Sequence, residues 1–265
     1  KTVITVAASA PTLYYYCTNH SLMGGQANTN SLFGSSNFSG SIQSTVSAGT
    51  TQGFSVVSYT GTGSNTTVGH GLSQEPDLMI FKNRDGADDW SVYHQSLGNT
   101  NYLLLNTNGA SSSSSSRFNN TSPTSSVFTI STSGDVNNSS DKYIAYCFVE
   151  KQGFSKFGSY TGNGSTDGAF VYTGFRPAFL AIKGTGSNQE FPIFDSAREP
   201  TNDGTLKSVW TNLYNSESSG YALDFLSNGF KVRNTGSTLG SSGQLYTYIC
   251  FAENPFVGND SGTAV

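Results

Sequence analysis

The chain has 265 residues, of which only 11% are charged, and its formal net charge is −4. Nucleic-acid binding needs clustered Lys and Arg side chains, and the sequence has no such run, which argues against a surface that follows a phosphate backbone. No apolar run approaches the roughly 20 residues that cross a bilayer, which argues against membrane insertion.

The remaining composition is typical of an all-β protein. Aromatic residues make up 13% of the chain, and Gly occupies 30 positions. A disordered chain would lack these aromatics, whereas many short strands joined by polar turns would use both residue types. We therefore expect short strands along most of the chain.

The first 52 residues differ in character from the rest. Thr2–Val6 and Leu13–Cys17 are strand-like runs separated by a turn that contains Pro11, which predicts a β-hairpin within residues 1–30. Residues 31–52 are rich in Gly, Ser and Thr and are nearly uncharged. They predict a linker with one short strand around Ser41–Val46.

Cys17, His20 and Met23 follow one another at a spacing of three residues. A thiolate, an imidazole and a thioether are three of the four ligands of a blue-copper site. The stretch resembles the ligand loop of cupredoxins, and residues 1–30 would then be a partial, C-terminal cupredoxin-like hairpin. No His precedes Cys17, so the site is incomplete, and we expect no cofactor unless sequence upstream supplies a second His for copper.

Five ordered blocks of sequence recur about a hundred residues later. The offset is 101 residues at Lys82/Lys183 and 103 at Cys147/Cys250. The paired blocks are GFSVVSYTGTGS (53–64) and GFSKFGSYTGNGS (153–165), EPDLMIFK (75–82) and RPAFLAIK (176–183), WSVYHQSL (90–97) and FPIFDSAR (191–198), VFTI (127–130) and GFKV (229–232), and YIAYCFVE (143–150) and YTYICFAE (246–253). This pattern predicts two tandem copies of one domain, at 53–152 and 153–256, followed by a tail at 257–265.

The last block of each copy indicates how the core is arranged. Side chains alternate across a strand, so Tyr143, Ala145 and Cys147 share one face while Ile144 and Tyr146 share the other. Both faces are mostly apolar, which predicts a central strand packed between two layers. Cys147 and its counterpart Cys250 are interpreted as small buried hydrophobic residues.

Two segments depart from the strand pattern. Residues 202–218 space their apolar side chains near i, i+3, i+4 and i+7 and are the best candidate for a short helix. Residues 110–126 are of low complexity and predict an exposed loop. The fold class that we predict is all-β, with two tandem jelly-roll-like β-sandwich domains preceded by a short β-hairpin segment and a linker.

The other polar clusters carry weaker signals. His70 and His94 are interpreted as polar surface or edge residues. Asp85, Asp88 and Asp89 share one loop and could bind Ca²⁺, but the second copy does not repeat them, so a solvated turn is favoured.

Enzymatic chemistry finds little support in the sequence. Asp195, Glu199 and Asp203 could provide the paired carboxylates of a glycoside hydrolase, but no fixed spacing couples them. The sequence contains no nucleophile elbow, P-loop or dinucleotide fingerprint. We therefore expect no catalytic residues and no enzyme activity.

The repeated blocks resemble a domain of virion proteins of marine bacteriophages, including tail-fibre-like proteins. The stretches that carry the resemblance are Gly153–Lys183, Phe194–Arg198, Leu223–Arg233 and Tyr248–Phe256. The resemblance implies an exposed structural protein of the virion: a tail fibre, appendage or head decoration. Such a protein would be a homo-oligomer, with a trimer the usual arrangement of fibres, and its partners would be other virion proteins.

Aromatic side chains in loops would provide contacts to a host surface glycan. The candidates are Trp90, Trp210, Tyr214 and Tyr221, and the alternative is that all four lie in the core or an oligomer interface. Two other functions stay open: a secreted carbohydrate-binding module of a bacterial cell surface, and a copper-binding cupredoxin-like protein.

Overall fold

The computed structural model describes residues 34–198, 201–202, 204 and 206–255, together with the backbone of residues 13–16 and 24–27. Strands β1 (Leu13–Tyr16) and β2 (Gly24–Ala27) form an antiparallel hairpin. Cys17, His20 and Met23 lie outside the described residues, so the copper ligands stay a prediction.

The regular secondary structure of the described residues is nearly all antiparallel strand, which confirms the all-β class. The first half contains β3 (Ser35–Asn37), β4 (Ser44–Gly49), β5 (Phe54–Thr60), β6 (Thr66–Gly69), β7 (Leu78–Asn83), β8 (Ser91–His94), β9 (Asn101–Leu104), β10 (Ser112–Ser113), α1 (Ser115–Phe118), β11 (Val127–Ile130), α2 (Gly134–Asn137) and β12 (Lys142–Phe148). Its main sheet has the order β10-β9-β8-β7-β12-β5-β4-β3, and β11 and β6 form a small second sheet. A short 3-10 helix at Gln95–Leu97 follows β8.

The second half repeats this arrangement with fewer edge strands. It contains β13 (Ser155–Thr161), β14 (Phe170–Tyr172), β15 (Pro177–Gly184), β16 (Pro192–Asp195), β17 (Leu206–Trp210), β18 (Ser218–Tyr221), β19 (Leu223–Leu226), β20 (Gly229–Val232) and β21 (Leu245–Ala252). Its main sheet has the order β13-β21-β15-β16-β17-β18, and its small sheet has the order β14-β20-β19. The run β5-β12-β7-β8-β9 of the first half therefore corresponds to β13-β21-β15-β16-β17 of the second.

Residues matched by the repeat occupy matching positions in the two sheets. Cys147 faces Met79 on the neighbouring strand, and Cys250 faces Leu180. The same holds for the stacked tyrosines, which are Tyr59 on Tyr143 (ring centroids 5.3 Å apart) and Tyr160 on Tyr246 (5.0 Å apart).

Each half forms a sandwich because its main sheet packs one face against its small sheet. Tyr143, Ala145 and Cys147 are buried in the core of the first half, and Cys250 is buried in that of the second. The other faces of the two main sheets pack against each other, with Phe148 close to Phe157. The central strand β12 therefore lies between two apolar layers, as its sequence predicted.

The interval predicted as a linker, residues 31–52, contains β3 and β4. Strand β4 pairs with β5 over Thr45–Gly49, so this segment extends the main sheet and is not a spacer between domains. The alternation of buried Ser44 and Val46 with exposed Thr45 gives the segment one face that packs on the core. Its low charge and high Ser/Thr content concealed that pattern.

The helix predicted over residues 202–218 is wrong, because Leu206–Trp210 form β17. Leu206 and Ser208 are buried and Lys207 between them is exposed, which is the period of two of a strand. Pairing of β17 with β16 and β18 supplies the backbone hydrogen bonds that a helix would otherwise provide.

The exposed loop predicted over residues 110–126 is also wrong in part. Helix α1 lies within it, and Arg117 and Phe118 are buried. The Arg117 guanidinium pairs with Asp135 and lies 3.7 Å from the centroid of the Tyr102 ring. Burial is favourable here because the charge has both an anionic and an aromatic partner.

The surface location predicted for His70 and His94 is wrong, because both side chains are buried. In each ring Nδ1 accepts a hydrogen bond from the backbone N–H two residues on, at Leu72 and Ser96 respectively. Nε2 of His94 lies 3.2 Å from the carbonyl oxygen of Tyr248 in the other half. Burial lowers the pKa of His94 to about 4, so the ring is neutral at pH 7.

Candidate functional site

The second half contains an open cleft of about 760 Å³ beside the loop that joins β17 to β18. We call it the Trp210 cleft. Its lining residues are Glu190, Trp210, Leu213, Asn215, Ser216, Glu217, Ser218, Ser219 and Tyr221. Aromatic rings, carboxylates, hydroxyls and one amide therefore share a single concave surface.

Two of the four predicted contact aromatics lie together in this cleft. The rings of Trp210 and Tyr221 have centroids 6.4 Å apart and an angle of 69° between their planes, which is an edge-to-face arrangement. The two rings come from neighbouring antiparallel strands, where Tyr221 lies opposite Leu206 and Trp210 is the last residue of β17, so the side chains contact each other diagonally across the pair. The indole Nε1 of Trp210 is buried and has no acceptor within the described parts of the chain.

Glu217 lies between two cations that come from outside the lining. Its Oε2 accepts from Arg198 Nη1 at 3.1 Å, and its Oε1 is 3.8 Å from Lys207 Nζ. Arg198 also donates from Nε to Asp195 Oδ2 at 2.6 Å. These contacts fix the Glu217 carboxylate at one side of the cleft.

Glu190 is held by amides. Its Oε2 accepts a hydrogen bond from Nδ2 of Asn212, and its Oε1 accepts from Asn108 Nδ2 at 3.4 Å. Oδ1 of Asn212 in turn accepts from the backbone N–H of Phe191 at 3.0 Å. A carboxylate with two amide partners keeps free lone pairs for a ligand.

A loop of the first half, residues 105–108, supports the segments that carry the cleft. The carbonyl of Leu105 accepts from Thr211 Oγ1 at 2.6 Å, and the carbonyl of Asn108 accepts from the Gln189 backbone N–H at 3.2 Å. Thr107 accepts from Nζ of the fully buried Lys183 at 3.1 Å. Burial lowers the pKa of Lys183 to about 8. The cleft therefore depends on both halves, although only the second half lines it.

The other two predicted aromatics lie elsewhere. Trp90, in the first half, is half-buried and stacks on Tyr146 with ring centroids 6.5 Å apart and planes 11° apart. Tyr214 lies in the β17–β18 loop with its side chain fully exposed, but it does not line the cleft.

The remaining candidates of the sequence do not form a second site within residues 34–198 and 206–255. Asp88 accepts from Asn83 at the start of the same loop, and Asp85 accepts from the Lys142 N–H at the start of β12. Asp195 pairs with Arg198, while Glu199 and Asp203 lie outside the described residues. In the described ranges no group of three His, Cys, Asp or Glu side chains is placed to hold a metal ion.

Sequence reasoning missed the carboxylates and the hydroxyls of the cleft. Glu190 and Glu217 are 27 residues apart in the chain, and no periodicity links them. The signal that could have found them is the pairing of β16, β17 and β18, which the helix prediction obscured.

Comparison with known proteins gives a family but no activity. No curated protein and no solved structure matches the chain. In the part of the chain that the structure describes, no helix is long and apolar enough to cross a membrane. A family model matches residues 27–255, a range that contains both halves and the β3–β4 segment, and the chain therefore belongs to the family described as Domain of unknown function (DUF7483).

Proposed function

We propose that this protein is a structural component of a bacteriophage virion, exposed on the extracellular particle, that contacts host surface glycans through the Trp210 cleft. It would be a tail fibre, an appendage or a head decoration, a homo-oligomer bound to other virion proteins. The Trp210–Tyr221 pair within a polar concave surface is the observation that supports glycan contact. The resemblance of the repeated blocks to phage virion domains supports the location.

The chemistry of sugars suits such a cleft. A pyranose ring presents a C–H face that packs on an indole, while its hydroxyls both donate and accept hydrogen bonds. The hydroxyls and the amide of the lining are donors, and the carboxylates of Glu190 and Glu217 are acceptors. We infer binding without turnover, so no catalytic role is proposed for the two carboxylates.

Rigidity supports the role of an external body. Both main sheets are covered on two faces, and the halves share an apolar interface with hydrogen bonds across it. A binding surface that is already ordered loses little conformational entropy when it meets its target.

The first experiment is a glycan array probed with the purified chain and with Trp210→Ala. We expect binding by the chain and a loss of at least about tenfold for the variant, because removal of a buried aromatic contact costs more than about 1.4 kcal/mol. Trp90→Ala is the matched control, since it removes a half-buried indole that does not line the cleft. An array with no bound glycan, or equal losses for both variants, would contradict the proposal.

A secreted carbohydrate-binding module of a bacterial cell surface is the second candidate, and the same cleft supports it. Mass spectrometry of purified virions separates the two, because only the first proposal places the chain in the particle. Copper binding through Cys17, His20 and Met23 remains a third possibility for the protein, and metal analysis of the purified full-length protein tests it.

A further inference from the structure

The charged side chains that line the Trp210 cleft are both carboxylates. Glu190 and Glu217 line it, whereas Arg198 and Lys207, which pair with Glu217, do not. Within the described residues, no Lys or Arg nitrogen forms an ion pair with Glu190, whose carboxylate accepts from the amides of Asn108 and Asn212. A ligand in the cleft therefore meets neutral polar groups, the carboxylate of Glu217 with its two cations behind it, and the carboxylate of Glu190, which has only amide partners.

The cation that interacts electrostatically with Glu190 is Lys183, and it cannot reach a ligand. Lys183 is fully buried, and its Nζ donates to the carbonyl oxygens of Thr107 and Gln189. Its charge moderates the field of Glu190 but provides no donor to the cleft. The accessible donors are neutral, from the side chains of Asn215, Ser218 and Ser219.

This lining distinguishes between classes of sugar. Hydroxyls and N-acetyl groups can donate to carboxylates and accept from hydroxyls and amides. A uronate, sialate or sulfate group would bring a second negative charge against Glu190 or Glu217, and no Lys or Arg side chain lines the cleft to compensate it, which is unfavourable. The volume of about 760 Å³ lies in the range of roughly 300–1,000 Å³ typical of ligand sites, and the open form of the cleft lets a ligand extend beyond it.

We infer that the Trp210 cleft selects uncharged glycans, built of neutral hexoses or N-acetylated amino sugars, and that Glu190 and Glu217 exclude anionic ones. The inference rests on the proposed function, since it names the ligand class of the same cleft. The inference assigns the selection between neutral and anionic glycans to Glu190 and Glu217, two side chains that have no role in the sequence repeat or in the hydrophobic core.

The test is calorimetric titration of the whole chain with three probes: chitotetraose and laminaritetraose, which are neutral, and tetragalacturonate, which is anionic. We expect the neutral probes, or one of them, to bind at least about tenfold more tightly than tetragalacturonate, because like charges repel in a partly desolvated site. The difference in affinity between the neutral probes and tetragalacturonate should become smaller as salt is added, since ions screen the repulsion.

Two isosteric variants identify the groups responsible. In Glu190→Gln combined with Glu217→Gln, the difference between neutral and anionic probes should fall to about threefold or less, because both like charges are gone. Glu253→Gln is the control, since it removes a carboxylate that pairs with Arg176 outside the cleft. Circular dichroism of each variant verifies that the fold is retained.

The outcomes separate the inference from the proposed function. The inference is overturned if the unaltered chain binds tetragalacturonate tightly. It is also overturned if the double variant leaves the difference in affinity between neutral and anionic probes unchanged. In both cases the proposal of glycan binding stands. Failure of all three probes and of the glycan array overturns both.

Discussion

The two halves of the molecule differ most at the outer edge of their small sheets. In the first half, Ser41 and Ile42 lie along β6, where their N–H groups donate to the Thr67 carbonyl at 3.0 Å. In the second half, the equivalent edge is β14, and its outward side chains Phe170 and Tyr172 are 48% and 64% exposed.

The sequence is adapted to this difference. Gly69 of the covered edge lies under Asn37, and a Cβ at this glycine would come within 2.5 Å of the Asn37 side-chain oxygen. The register of the small sheets places Tyr172 at the matching position of the second half. A tyrosine there is incompatible with a segment packed as closely as Asn37 is on Gly69.

A second difference concerns the loop after the fifth shared strand. After β17, the loop forms one side of the Trp210 cleft. After β9, the corresponding loop supports that cleft through Leu105, Thr107 and Asn108. The corresponding strands are alike in the two halves, whereas the two loops differ. The loop after β17 lines the cleft, and the loop after β9 supports it.

The largest expected effect is on the pH dependence of the free energy of unfolding, and it comes from His94. Asp195 occupies the matching position of the second half, but only His94 is buried in the interface between the halves. The pKa of His94 is lowered by burial from 6.5 to about 4, so the unfolded chain binds a proton more readily between these values. Stability is therefore fully present above pH 6.5 and is lost as the pH falls toward 4, by about 2.5 kcal/mol at pH 4.5. Burial lowers the pKa of His70 as well, with the same sign.

Urea unfolding at pH 7 and pH 4.5 measures this loss. His94→Gln should reduce it by about 2.5 kcal/mol relative to the unaltered chain, because the titrating ring is gone while a donor to Tyr248 can remain. His70→Gln is the companion variant in the first half. An identical pH dependence in His94→Gln and the unaltered chain would show that the interface does not hold the ring neutral.

A smaller effect is expected from the matched lysines Lys82 and Lys183. Each closes the loop between two strands by donating to backbone carbonyls, but Lys183 is fully buried and Lys82 only half-buried. Lys183→Met should lower the free energy of unfolding by about 2 kcal/mol, because buried carbonyls lose their donor. Lys82→Met should cost less than about 1 kcal/mol, since water can replace the donor there. Chemical denaturation measures both values, and equal decreases in the free energy of unfolding would contradict the claim that burial makes the Lys183 hydrogen bonds more important than those of Lys82.

The difference between local spacing and long-range contacts explains which features the sequence predicted. Tyr143, Ala145 and Cys147 alternate within one strand, so local spacing reveals their shared face, and the repeat transfers it to Cys250. The burial of His94 depends on a carbonyl 154 residues away, which no local pattern encodes. Trp210 and Tyr221 were identified as candidates by residue type, but their meeting required the pairing of β17 with β18.

The smallest expected effect is a difference in amide hydrogen exchange between β6, the edge that Ser41 and Ile42 cover, and β14, the edge that is open in the second half. Thr67 N–H donates to Ser41 Oγ at 3.0 Å. The alternation of hydrogen bonds between β14 and β20 directs the Phe170 N–H away from the sheet, and no described residue accepts from it. After correction for intrinsic rates, the Thr67 amide should exchange at least about tenfold more slowly than that of Phe170.

Ser41→Gly sharpens the measurement because it removes the hydroxyl that accepts from Thr67 and leaves the second half untouched. We expect faster exchange at Thr67 and no change at Phe170. If both amides are equally protected in the unaltered chain, then something covers β14 in solution, and dilution should expose Phe170 if the cover is a second copy. Protection that persists on dilution would mean that the β14 edge is closed within one chain, and the contrast between the two edges would be wrong.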